Sequence, residues 1–283
     1  MKDATPSRTA HRVAIRRAAH QFMDQPRVFE DPLALKIIGA ETAGALAQDP
    51  GRFESSTHLR AFIAVRSRYA EDELARAVVE RGVRQYVVLG AGLDTFGYRN
   101  PHAGAGLRVF EVDHPATQAW KREQLDHNQI AVPGWLTFVP VDFEQQSLAD
   151  ELRRGGFRAG EPSLFAWLGV VPYLTLEAVR ATLAFIGRLP RGSGVVFDYA
   201  NSPESLRPAV RAAFDAMAAR VARAGEPFRL FFDPEELAML LRACGFSWIE
   251  DLDAAAINGR YFDGRTDGLR LAEGLAHLVS ARV

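Results

Sequence analysis

The chain has 283 residues, with 34 Lys and Arg residues against 35 Asp and Glu residues, and a formal net charge of -1 at pH 7. Its hydrophobic content of 48% is ample for a sizeable buried core. The near-neutral charge excludes a global basic field of the kind that binds nucleic acids or anionic membranes. From the length and hydrophobic content we expect a single domain over residues 1–283. From the net charge we expect no nucleic-acid or membrane partner.

Cysteine content and terminal composition bear on the cellular compartment and on metal binding. Residues 1–6 lack the apolar core of a secretion signal, and no uninterrupted apolar run approaches the ~20 residues needed to span a bilayer. Cys244 is the single cysteine, so neither an intramolecular disulfide nor a thiol-rich metal site can form. No Asp, Glu and His cluster has metal-ligand spacing. These features predict a cytoplasmic protein without a metal site.

The N-terminal part of the chain has a helical pattern. Between residues 6 and 81 no strand is evident, and Thr57 is suited to cap a long helix that runs toward Arg81. Gly82 then ends that helix. We expect residues 1–81 to form a helical cover and residues 82–283 to form the core.

Beyond Gly82, strand and helix patterns alternate. The predicted strands are 84–89, 107–112, 136–141, 163–168 and 194–199, and the predicted helices are 115–128, 145–154 and 176–188. Farther along we predict helices near 204–224 and at 234–243, and strands at 246–252 and near 275–282. This alternation predicts an α/β fold with a mostly parallel, doubly wound sheet.

The ends of the first two predicted strands carry the most informative residues. The first strand runs into Gly90-Ala91-Gly92, and the second leads to Asp113. Glycines allow a ligand to approach the backbone, and a carboxylate at the next strand end can accept hydrogen bonds from ribose hydroxyls. The pair therefore predicts a site for an adenosine cofactor.

The third predicted strand adds another acid. Asp142 follows Asp113 at the distance of one βαβ repeat. Its carboxylate can accept a hydrogen bond from an adenine amino group, or it can be an ordinary surface-loop residue. A nicotinamide cofactor is disfavoured, because Thr95 occupies the place of the third glycine in the Gly-x-Gly-x-x-Gly fingerprint.

An ordered series of motifs spans much of the chain. They are Ala64-Val65-Arg66-Ser67-Arg68, residues 85–99 with Leu-Gly-Ala-Gly-Leu-Asp-Thr, residues 110–115 followed by Lys121, Val141-Asp142-Phe143, and residues 167–174. From about residue 8 onward the chain resembles S-adenosylmethionine-dependent methyltransferases related to leucine carboxyl methyltransferase, which include bacterial O-methyltransferases of polyketide and other secondary metabolism. The resemblance implies a Rossmann-like class I methyltransferase fold with S-adenosyl-L-methionine as cofactor. Eukaryotic members carry Glu at the position of Leu168, so their protein substrate does not transfer to this chain.

The resemblance also implies which residues bind the cofactor. Arg66 would bind the methionine carboxylate, and Asp113 would hold the ribose hydroxyls. Asp142 and the Phe143 backbone would frame the adenine. The segment beneath methionine and ribose would consist of Gly90, Ala91 and Gly92.

Some of these residues have an alternative interpretation. Arg66 and Arg68 precede an acidic stretch on the same helix, so either can form a surface ion pair; of the two, we predict Arg66 as the ligand. Asp94 can contact the methionine amino group or stabilise the turn. Glu111 alternates with Asp113 and can instead secure a helix terminus.

Methyl transfer from a sulfonium is a direct displacement, which requires alignment of the acceptor and exclusion of water. A carboxylic acid is already ionised at pH 7, whereas a phenol benefits from a general base. We expect Tyr173 to lie beside the methyl group and regard His20, or less readily His114, as the candidate base. The predicted function is O-methylation of a small-molecule carboxylate. A phenolic or hydroxyl acceptor and a non-catalytic nucleotide-binding module remain as alternatives.

Acceptor recognition is expected to lie outside the shared motifs. The N-terminal helices supply polar side chains, and a later loop supplies Arg229 and two aromatic residues. The residues concerned are His11, Arg12, Arg16, His20, Arg229, Phe231 and Phe232. Neither the acceptor's identity nor the oligomeric state can be read from the sequence.

Overall fold

The computed structural model describes residues 7–51, 57–142, 145–223, 225, 227–272, 274 and 276–283. The helices are α1 (Arg8–Met23), α2 (Ala34–Ile37), α3 (Ala40–Gln48), α4 (Thr57–Glu80), α5 (Phe96–Arg99), α6 (Pro115–His127), α7 (Leu148–Arg154), α8 (Leu176–Ile186), α9 (Pro208–Arg223), α10 (Pro234–Ala243) and α11 (Ala254–Tyr261). The strands are β1 (Gln85–Leu89), β2 (Arg108–Asp113), β3 (Leu136–Pro140), β4 (Ser163–Trp167), β5 (Gly194–Ala200), β6 (Trp248–Leu252) and β7 (Ala276–Arg282).

Within the described residues, seven strands form one sheet in the order β3-β2-β1-β4-β5-β7-β6. Strands β1 to β5 pair in parallel, and β7 lies antiparallel between β5 and β6. The strand order reverses between β1 and β4, and a crevice opens at such a switch point outside the carboxyl ends of the strands. The predicted α/β fold with a mostly parallel sheet is confirmed.

The central strands are buried on both faces, which explains their continuous apolar character. Every residue of β1, β4 and β5 is buried. Because side chains alternate across a strand, Val88 faces the core layer that contains Leu74 of α4, whereas Val87 faces the layer that contains Val179 of α8. The sheet is thus a rigid platform between two helical layers.

The N-terminal helices are tied to the core by a buried polar contact. Asp31 accepts a hydrogen bond from the Thr95 hydroxyl at 2.7 Å and pairs with Arg17 Nε at 2.8 Å. Arg17 also donates to the Leu93 carbonyl at 2.5 Å. These contacts hold α1 above the turn that follows β1, in agreement with the predicted helical cover.

The predicted strands begin and end within a residue or two of the observed ones, and the helices differ more. The helix predicted near 204–224 begins only at Pro208, after a 3-10 turn over Pro203–Ser205, and its last predicted residue lies outside the described residues. Helix α11 was not predicted, although Asp253 caps it by accepting from Ala256 N at 2.8 Å. Among the helices described, none is both long and apolar enough to cross a membrane.

An ion pair lies in the core beneath α5. Lys121 Nζ is 2.6 Å from Glu111 Oε2, both side chains are 1% exposed, and the Tyr98 hydroxyl donates to the same carboxylate at 3.1 Å. The alternative that Glu111 secures a helix terminus is wrong, because its side chain contacts the middle of α6. Burial raises the pKa of Glu111 to about 7 against the attraction of Lys121.

We predict that Lys121→Met lowers the free energy of unfolding at pH 8, but by less than the about 3–5 kcal/mol typical of a broken buried ion pair, because removing the cation raises the pKa of Glu111 further and the buried carboxyl group takes up a proton. The loss should shrink as the pH falls toward 5, since a raised folded-state pKa costs stability only above the unfolded-state pKa. Urea denaturation measures both effects. Glu111→Gln/Lys121→Met is the control, and a loss in the double variant as large as the sum of the two single losses would contradict this account.

Candidate functional site

A cavity of about 480 Å³ opens at the carboxyl edge of the sheet, where the strand order reverses. Its walls come from the turn after β1, the ends of β2 and β4, and the N-terminal part of α1. The cavity therefore lies where the sequence predicted an adenosine cofactor.

The turn after β1 forms the floor of the cavity and depends on its glycines. Gly90 has φ +66°, and a Cβ there would lie 2.3 Å from Val170 Cγ2. The Gly90 and Ala91 amides donate to the Val112 carbonyl at 2.8 and 3.1 Å. The turn is thus fixed to β2, with backbone exposed to a ligand where any side chain would collide.

Asp113 ends β2 and borders the same cavity. Its Oδ2 accepts from Gly92 N at 2.6 Å, and its Oδ1 accepts from His114 N at 2.7 Å. Burial raises the pKa of the carboxyl group, and the two backbone hydrogen bonds oppose that shift. Since a carboxylate has about four acceptor positions, Asp113 can accept further hydrogen bonds from a ligand.

The side chains of Arg66 and Arg68 on α4 lie in different environments. The Arg66 side chain is 11% exposed and borders the cavity, with Nη1 3.4 Å from Asp198 Oδ2. The Arg68 side chain is 50% exposed and pairs with Asp72 at 2.8 Å. Of the two arginines, only Arg66 borders the cavity.

Two of the remaining predicted cofactor residues, Asp94 and Asp142, border the cavity. Asp142 borders the cavity and accepts from Gln145 Nε2 at 2.9 Å. Phe143 lies outside the described residues. Asp94 also borders the cavity, and its Oδ1 accepts from Phe96 N at 2.8 Å, so it stabilises the turn while remaining within reach of a ligand.

A second, more apolar cavity of about 280 Å³ adjoins the first. Tyr173 borders both cavities, and its ring centroid is 5.2 Å from that of Phe228. Phe228 stacks on Phe214 at 5.8 Å, and both line the second cavity. The predicted acceptor residues Arg12 and Arg16 line this cavity as well. The lining thus combines aromatic surface with arginine side chains.

Three other predicted acceptor residues lie elsewhere. Arg229 borders the first cavity, not the second. Phe231 packs edge-on against Phe214, with the two ring centroids 5.6 Å apart. His11 packs edge-on against Trp120 at 5.9 Å. Of these three, only Arg229 lines a cavity directly.

His20 is not at the cavity, and the proposal that it acts as a catalytic base is not supported. The side chain is completely buried, with Nδ1 2.8 Å from Asp24 Oδ2. Its Nε2 accepts from Val28 N at 3.1 Å and from Phe29 N at 3.2 Å. Because Nε2 accepts from backbone amides, the proton resides on Nδ1, and both ring nitrogens are occupied by structural contacts.

His114 is also engaged in local structure. Its Nδ1 accepts from Ala116 N at 3.2 Å and caps α6. His114 therefore has a structural contact at the start of α6, although it also lines the cavity.

Asp198 was missed by the sequence analysis. It lies near the carboxyl end of β5, is 4% exposed, and borders the second cavity. The available signal was an acid between apolar residues at the end of a predicted central strand, where a buried charge requires a partner. The sequence did not indicate that this partner would be Arg66.

Comparison with known proteins identifies the family. A sequence model of leucine carboxyl methyltransferase matches residues 10–187. The chain belongs to the leucine carboxyl methyltransferase family. YktD of Bacillus subtilis, named as an S-adenosyl-L-methionine-dependent methyltransferase, is 32% identical over 95% of each chain. A Parafrankia protein with the same functional name is 38% identical over 58% of this chain and 53% of its own.

Solved structures agree on the fold. A methyltransferase-like protein from Thermobifida fusca aligns with a TM-score of 0.60 and 18% identity over 99% of this chain and 96% of its own. A DUF574 family protein from Streptomyces avermitilis aligns with a TM-score of 0.58 and 18% identity over 99% and 98%. The protein is thus an S-adenosyl-L-methionine-dependent methyltransferase with a class I fold.

We predict that Arg66→Lys weakens binding of S-adenosylhomocysteine about tenfold, because lysine keeps the charge but loses the two-pronged geometry of the guanidinium. Isothermal titration calorimetry measures the affinity. Arg68→Lys is the matched control from the same helix and should bind like the wild type. A loss confined to Arg68→Lys would reverse the assignment.

Proposed function

We propose that this enzyme is an O-methyltransferase that methylates a carboxylate of a small, largely apolar metabolite. The main observation in support of this proposal is that both cavities are bordered by Arg66, Gly169 and Tyr173. A cofactor in the larger cavity and an acceptor in the smaller one would come together at this junction.

We further propose that residues 1–283 act as one methyltransferase domain and that the acceptor belongs to secondary metabolism of the polyketide type.

The cofactor would bind through residues at successive strand ends. Asp113 would accept from the ribose hydroxyls, and the turn from Gly90 through Gly92 would pass beneath methionine and ribose. Asp142, with the Phe143 backbone, would frame the adenine. Arg66 would pair with the methionine carboxylate, and Asp94 lies within the same cavity for the methionine amino group.

The acceptor cavity supports a carboxylate on an apolar body. Phe62, Phe214 and Phe228 supply aromatic surface, while Arg12 and Arg16 of α1 supply positive charge. An ionised carboxylate needs no proton removed during displacement, so the reaction does not require the base that His20 fails to provide. Tyr173, at the junction, would help to exclude water and orient the acceptor.

A hydroxyl acceptor is the second candidate, and one observation favours it. Asp198 borders the acceptor cavity, and burial raises the pKa of its carboxyl group above the ordinary range. A carboxylate with a raised pKa is a better general base than an ordinary aspartate. We rank this candidate second because Asp198 already accepts hydrogen bonds from Gly169 N and Arg66.

We predict that Asp113→Asn weakens S-adenosylhomocysteine binding by at least tenfold, since hydrogen bonds to a charged group contribute roughly 1.5–3 kcal/mol each. Wild-type affinity should also fall in mildly acidic solution, because a raised pKa brings protonation of Asp113 closer to neutral pH. Calorimetry from pH 5 to 8 tests both statements. Equal affinity in two folded proteins would refute the ribose assignment, and Asp126→Asn on α6 is a control outside the cavity.

We predict that a matched pair of aromatic substrates, one acid and one phenol, separates the two acceptor classes. The enzyme should methylate the acid, with turnover that depends little on pH between 6 and 8, because the acceptor is ionised throughout that range. Turnover is measured by S-adenosylhomocysteine release, with cofactor affinity determined at each pH. Selective methylation of the phenol, with a pH dependence that disappears in Asp198→Asn, would replace the carboxylate assignment by the hydroxyl one.

A further inference from the structure

The Arg66 guanidinium lies at the boundary between the two cavities and is enclosed by protein groups. Arg66 and Gly169 border both cavities, whereas Asp198 borders only the acceptor side. The Arg66 Cζ is also 5.8 Å from the centroid of the Phe62 ring. The position of this one side chain thus affects both ligands.

Asp198 holds this arrangement from the acceptor side. Its Oδ1 accepts from Gly169 N at 2.6 Å, and its Oδ2 is 3.4 Å from Arg66 Nη1. A single carboxylate therefore connects the backbone after β4 with a side chain of α4. Because the carboxylate is buried and charged contacts are strong at low dielectric, it restricts the directions in which the guanidinium can point.

Gly169 holds the guanidinium from the other side. A Cβ at this position would lie 2.6 Å from Nη2 and 2.7 Å from Nη1 of Arg66. The φ of +71° is a second reason for glycine here. The guanidinium consequently packs directly against the Gly169 backbone and occupies the space that a side chain at position 169 would need.

We propose that Asp198 is a positioning residue that, together with Gly169, fixes the Arg66 guanidinium for the methionine carboxylate and separates that charge from the acceptor. The proposal rests on the proposed function of Arg66 as cofactor ligand. Asp198 contributes through Arg66 and does not contact the cofactor. Its negative charge is offset by Arg66, which lets an anionic acceptor occupy the adjoining cavity.

A double-mutant cycle tests this proposal with S-adenosylhomocysteine as the probe. Asp198→Asn is expected to weaken binding about tenfold, or about 1.4 kcal/mol, and Arg66→Met by more than that, because methionine lacks both the charge and the donors of the guanidinium. The double variant should bind no more weakly than Arg66→Met, because the effect of Asp198 passes through Arg66. Additive losses, or wild-type affinity in Asp198→Asn, would overturn the proposal.

Gly169→Ala provides a second route if Asp198→Asn does not fold. It should displace the guanidinium and weaken S-adenosylhomocysteine binding about as much as Asp198→Asn. Gly264→Ala is the matched control, because Gly264 has φ +70° and no atom within 4 Å of an added Cβ. Equal affinity in the two alanine variants would overturn the proposal.

The same measurements distinguish this proposal from the proposed function. Unchanged affinity in Arg66→Met would overturn both, because Arg66 would not be a cofactor ligand. A loss in Arg66→Met with none in Asp198→Asn would overturn the positioning role alone. A fall in kcat in Asp198→Asn with unchanged cofactor affinity and an altered pH profile would instead identify Asp198 as a general base.

Discussion

The site depends on the attachment of the turn after β1 to the end of β2. The Val112 carbonyl accepts from Gly90 N and Ala91 N, and the Asp113 carboxylate accepts from Gly92 N. These bonds use backbone amides that would otherwise be left unpaired in a buried turn. They also hold the Asp113 carboxylate next to the turn. One set of hydrogen bonds therefore positions both the glycine-containing backbone and the acid beside it. A cofactor that binds there meets a surface that needs little rearrangement.

The sheet and the cofactor motifs were predictable because their signals are local. Each buried strand is a short apolar run, and the glycines and acids at the strand ends are visible in the sequence. Helix α11 was missed although Asp253 and the following alanines are a recognisable start signal. The predicted ends of the central strands are close to the observed ones because a strand buried on both faces is apolar along its whole length, so the apolar run in the sequence marks where the strand begins and ends.

The acceptor site was less predictable because its contacts join distant segments. His20 has the residue type of a base, but only the tertiary structure shows that Asp24 and two backbone amides occupy its ring nitrogens. Asp198 and Arg66 are 132 positions apart in the chain, and no spacing rule connects them. The aromatic wall around Phe214 and Phe228 likewise forms between α9 and a later loop. Sequence patterns define faces and ends of elements, whereas such pairs depend on how those elements pack.

The larger cavity is lined by charged side chains of both signs. Asp94, Asp113 and Asp142 border it together with Arg17, Arg66 and Arg229. S-adenosylmethionine carries a sulfonium, an ammonium and a carboxylate, so a rim that contains both acids and arginines can match its charge pattern. Methyl transfer removes the sulfonium charge, whereas the carboxylates of the rim remain. With the cofactor placed as proposed, loss of the sulfonium charge would weaken its attraction to these carboxylates and so favour release of the product.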